Sequence, residues 1–80
     1  MNTRYELEDA GYSVVAADSR GVEYVEGRDV GLFRKSNSEW ATWVEDWSGT
    51  CDYCGTRSED VDLFDTESAA RAKYEESKGW

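Results

Sequence analysis

The alternation of hydrophobic and polar positions along this chain changes period several times, and each change predicts an element. Tyr12, Val14, Val15 and Ala17 form one β-favouring run, and Val22, Tyr24 and Val25 form another. Asp18-Ser19-Arg20-Gly21 between them has the composition of a turn, so the segment predicts a hairpin with strands over 12–17 and 22–26. A second turn at Gly27-Arg28-Asp29 leads to a strand over 30–35. Residues 1–10 are polar, anchored by Tyr5 and Leu7, and read as an edge strand or a frayed end.

Two assignments compete over 40–47. Ser36-x-x-Glu39 has the capping-box pattern, and Trp40, Trp43, Val44 and Trp47 fall at helical spacing before Gly49. Against that, Trp40, Thr42 and Val44 alternate as one face of a strand, and Trp, Thr and Val favour strands. We read a strand. Residues 48–60 then form a long loop, of a length that usually carries function or is tied down. Val61-Asp62-Leu63-Phe64 alternates as a last strand. Asp65 or Thr66 caps a helix built on Ala69, Ala70, Arg71 and Ala72 that ends at Lys78 and Gly79.

The elements predict a single α+β domain over 1–80: an antiparallel β-sheet of four to five short strands with the C-terminal α-helix packed on one face. The opposite face is expected to be partly open. Trp40, Val44, Leu63 and Phe64 are the expected core positions. With 80 residues, four Trp, five Tyr and two Phe, the core is thin and rests on a few large aromatic side chains. The chain has no apolar run long enough to span a membrane and no signal-peptide pattern at Met1, so a cytoplasmic location is expected.

Charge changes the picture most. Eighteen acidic residues against nine basic give a net charge of -9. Between Glu39 and Glu67 nine acids face one base, Arg57, while the flanking stretches are nearly balanced. Nucleic acid is a poor partner for such a chain, and a basic protein surface is a good one.

The residues Leu32-Phe33-Arg34-Lys35, then Trp40, Thr42 and Val44, and Phe64-Asp65-Thr66 before an Ala-rich helix resemble the arm-type DNA-binding domains of phage integrases. That family folds as three antiparallel strands and a helix, and the likeness covers about half the chain. The resemblance implies basic side chains on the strand face turned away from the helix. Here Trp43, Glu45 and Trp47 stand in that phase. As a type, a small acidic chain also resembles phage-encoded anti-CRISPR and anti-restriction proteins, several of which mimic nucleic acid. That likeness implies an inhibitor of a CRISPR effector subunit or another nucleic-acid-binding complex in the host cytoplasm.

The candidate partner-binding residues are therefore Trp43, Glu45, Asp46, Trp47, Glu59, Asp60 and Asp62. The carboxylates would engage Arg or Lys of the partner, and the two Trp would supply an apolar anchor. A merely solvated acidic face, as in a high-salt habitat, is the competing reading. Cys51-x-x-Cys54 followed by Gly55 has the spacing of half a zinc knuckle. Structural zinc takes four ligands and the chain has no His and no third Cys, so a complete site needs a second chain or carboxylates as weaker ligands; the pair reads first as free thiols or a strained local disulfide in the loop, and second as a zinc-binding or thiol-linked dimer contact. No cofactor is expected. Acidic neighbours oppose thiolate formation and no imidazole is available as a base, so the expected protein is a non-enzymatic binder, monomeric or weakly dimeric.

Overall fold

The computed structural model describes residues 2–22, 26–49 and 56–79. It contains a short helix α1 (Arg4–Asp9), four strands β1 (Ser13–Val22), β2 (Glu26–Ser36), β3 (Glu39–Ser48) and β4 (Thr56–Phe64), and a helix α2 (Glu67–Lys78). The strands form one antiparallel sheet in the order β1-β2-β3-β4, so each pairs with its neighbour in sequence. The α+β class, the antiparallel sheet and the C-terminal helix are those expected, but the strands are longer than expected.

Strand wins over helix at 40–47 because the chain reverses tightly at Asn37-Ser38 and β3 lies between two partners. The Ser36 hydroxyl donates to Glu39 Oε1 at 3.0 Å, so the pattern that resembles a helix cap closes a β-turn instead. The Trp40 indole N–H donates to Asn37 O at 3.2 Å, and Arg34 donates to the Asn37 side chain.

Three assignments need correction. Residues 4–9 are helical. The Thr3 hydroxyl accepts from Glu6 N at 3.2 Å, and Gly11 at φ 99° releases the chain into β1. Six residues are too few to hold a helix alone; α1 stands because Leu7 is fully buried against the sheet. Next, the expected turns at 18–21 and 27–29 lie inside β1 and β2, which pair up to Val22↔Glu26; residues 23–25 of the expected strand over 22–26 lie outside the described residues. Gly21 and Gly27 serve close approach: a Cβ on Gly21 would lie 2.4 Å from Glu26 O, and one on Gly27 would lie 2.3 Å from the Trp47 ring. Finally, residues 56–60, expected in the loop, pair with β3 from Ser48↔Thr56 to Val44↔Asp60.

Successive side chains on a strand point to opposite faces, and each face has its own core. On the α2 side, Val30, Leu32, Trp40, Ala70 and Tyr74 are buried together, with Ala16, Val44 and Phe64 packed against them. On the α1 side the cluster is Leu7, Tyr12, Phe33, Ala41 and Trp43, joined by Ala10 and Val61. Leu63, expected in the core, is 53% exposed because α1 does not reach over it on the edge strand.

The α2 helix starts with Thr66, whose hydroxyl accepts from Ala69 N at 3.3 Å, and it buries Ala70, Tyr74 and Ser77 along one stripe. Burial raises the Tyr74 hydroxyl above its ordinary pKa, although nearby Lys78 opposes the shift.

Candidate partner-binding face

The strand registers align four residues across the sheet: Ser19 pairs with Asp29, Asp29 with Glu45, and Glu45 with Glu59. Residues directly opposite in antiparallel strands share a face, so Asp29, Glu45 and Glu59 form a row of three carboxylates on the α1 side. At a strand spacing of about 4.8 Å the row spans about 10 Å. Like charges placed opposite one another destabilise a sheet. The row therefore carries an electrostatic cost.

Its members differ in their surroundings. Glu59 Oε2 accepts from the Trp43 indole N–H at 2.6 Å and from Arg4 N at 2.8 Å, so this carboxylate fastens α1 to the sheet. Glu45, with its side chain only 18% exposed, lies 3.9 Å from the guanidinium of Arg57. Asp29 is half-buried, and its carboxylate makes no hydrogen bond or ion pair among the described residues. A cavity of about 400 Å³ opens beside the row, lined by Arg4, Tyr5, Glu8, Trp43, Glu45 and Arg57 together with Glu59.

The tryptophans flank the row, each opposite a glycine: Trp43 across from Gly31 and Trp47 across from Gly27. Trp47 lies over the Gly27 backbone and is half-buried. Trp43 is turned away from α2, as its phase demands, but it is 7% exposed. The expectation of an exposed Trp43 is corrected, because the Arg4 guanidinium stacks 5.4 Å from its ring and α1 covers it. Phe33 receives the same guanidinium at 5.5 Å.

The seven expected residues do not share one face. Asp46, Asp60 and Asp62 point to the α2 side, where they line a cavity of about 240 Å³ with Arg28, Lys73 and Ser77. Asp46 is held by Arg28 through two bonds of 2.6 and 3.1 Å, and Arg28 also donates to Ser77 O at 3.3 Å. This carboxylate is thus taken up in clamping the last turn of α2, where a cation also opposes the helix dipole.

Asp29 is the residue that sequence reasoning missed. Its place among turn-forming residues hid it, and only the β2–β3 register reveals that it faces Glu45. Among the described residues no cluster of three or more His, Cys, Asp or Glu could hold a metal ion. Cys51 and Cys54 lie outside the described residues. Among the described residues no helix is long and apolar enough to cross a membrane. Comparison with known protein families, with curated proteins and with solved structures finds no significant match for this chain.

Proposed function

We propose that the chain is a non-enzymatic inhibitor or adaptor that binds a basic protein surface, in the manner of phage anti-CRISPR proteins that occupy a nucleic-acid-binding groove. The observation that carries this reading is the row Asp29, Glu45 and Glu59 on the α1 side of the sheet, in which the Asp29 carboxylate has no partner among the described residues. Like charges aligned at a cost to stability are what a cationic partner would relieve, and sites that break a local rule are where function is expected. Arg side chains of the partner would engage Asp29 and Glu45, with Trp47 as the apolar neighbour. Glu59 would add charge while holding α1. A partner of this kind places the protein in the cytoplasm, that of the host if it is phage-encoded.

The test is displacement of labelled target DNA from a panel of purified CRISPR effector complexes. The wild-type chain is expected to displace DNA from a complex it recognises. Its affinity is expected to fall steeply between about 0.1 M and about 1 M salt, as the Debye length shrinks from about 10 Å to about 3 Å. Asp29→Lys with Glu45→Lys should abolish displacement, whereas Asp60→Lys with Asp62→Lys, on the α2 side, should leave it nearly intact. Full displacement by the Asp29 and Glu45 variant would remove the row from the mechanism.

A further inference from the structure

The sheet has two edges, and they differ in charge. On β4, Glu59, Asp60 and Asp62 outnumber Arg57 three to one, a composition that discourages strand addition by another copy of the chain. On β1 the only charges are Asp18 and Arg20, one of each sign. Val14 and Val15 are 50% and 45% exposed, and the register slips between Val14 and Ala16. A bulge there twists the start of β1 away and leaves residues 16–22 as a regular edge.

Within that segment the Ser19 backbone N–H donates to Asp18 Oδ1 at 2.9 Å, a carboxylate of its own strand, at the free edge of β1. Asp18 and Arg20 also pair with each other, loosely, at 3.7 Å, with side chains 38% and 55% exposed. Arg20 stands opposite Arg28 of β2, which is already committed to Asp46. The Ser19 N–H and the Asp18–Arg20 pair thus find their side-chain partners within β1, and Arg20 faces a like charge on β2.

We infer that β1 is a docking edge for β1 of a second copy, paired antiparallel about a two-fold axis at Ser19. In that register the two Ser19 residues exchange both N–H···O=C bonds, as a hydrogen-bonded pair does. Asp18 of each copy then faces Arg20 of the other, and Ala17 faces Gly21. The sequence of this edge is thus self-complementary in charge and in size. The dimer is a weak one, because seven residues of strand pairing bury far less than a standard interface of about 1,600 Å².

A two-fold axis normal to the sheet keeps the same faces together. Ser19 lies on the level of Asp29, Glu45 and Glu59, so the two carboxylate rows fall into one line across eight strands. At about 4.8 Å per strand that line is about 34 Å long. The dimer does not depend on what the rows bind.

Sedimentation velocity of the full chain in reducing buffer, from micromolar to millimolar, tests this. The wild type is expected to move from 9.1 kDa toward twice that mass. Its dimer fraction should rise with salt, since screening relieves repulsion between two copies of charge -9. Binding of a basic partner would respond to salt in the opposite direction. Ser19→Pro removes the central N–H and should keep the chain monomeric. Asp18→Arg alone should weaken the dimer about tenfold, and adding Arg20→Asp should restore it even if Ser19→Pro disturbs folding. A wild type that stays at 9.1 kDa throughout, or charge variants that dimerise like the wild type, would overturn the inference.

Discussion

The two faces of the sheet use the same strands and end in opposite conditions. The α2 side is sealed by a twelve-residue capped helix, clamped at its last turn by Arg28 and Asp46. The α1 side is covered by six residues at one end, where Glu59 holds Arg4, and the same side of the sheet carries Glu45, Asp29 and Trp47. Both faces bury fully enclosed leucines, so the difference is one of extent and not of packing quality. Among the described residues each face buries five core residues, and the room for a partner lies where the covering helix is short.

The sharpest way to break this comparison is to empty each core in turn. Leu32→Ala on the α2 side and Leu7→Ala on the α1 side both delete fully buried side chains, and each should cost about 2–5 kcal/mol in urea unfolding. A cost for Leu7 far below that for Leu32 would mean that α1 is loosely held and the uncovered face correspondingly larger. Gly27→Val should cost about 1–3 kcal/mol, because its side chain would occupy the place of the Trp47 ring. Tryptophan emission should shift as the ring is expelled, and an unshifted spectrum with unchanged stability would contradict the seating of Trp47 on Gly27. The smallest effect is the most informative about function. Asp29→Asn should raise stability by about 0.2–1 kcal/mol at low salt by removing one charge from the row, with the gain fading as salt is added. A loss instead would show that Asp29 is a structural residue.

The helix α2 was legible because its cap, its alanines and its closing glycine all agree. Strand β3 was legible because its alternation outweighed a cap-like motif. The same motif exposes the limit of that reasoning. Ser36-x-x-Glu39 closes a turn, while Thr3-x-x-Glu6, the same pattern, does cap α1. The motif states which local bonds can form, and the residues on its C-terminal side decide which element those bonds serve. Gly21 and Gly27 misled in a related way, since a glycine read as a turn can equally be the floor under an indole or another backbone. The start of β4 was hidden by its acids, which are poor strand formers and are tolerated at a sheet edge. The candidate site was half visible: the acids were evident, but alternation divides them between faces, and Asp29 joins them only through the register.

The strand order has a consequence for how the molecule is made. Because every strand pairs with the one before it, the sheet can assemble hairpin by hairpin in the order of synthesis, with little loop-closure entropy at each step. The helix that seals Val30, Leu32 and Trp40 comes after all four strands. Until α2 is complete, a nascent sheet shows the ribosome surface and its chaperones an open apolar face. The α1 side, whose covering helix is made first, is closed at that end from the start.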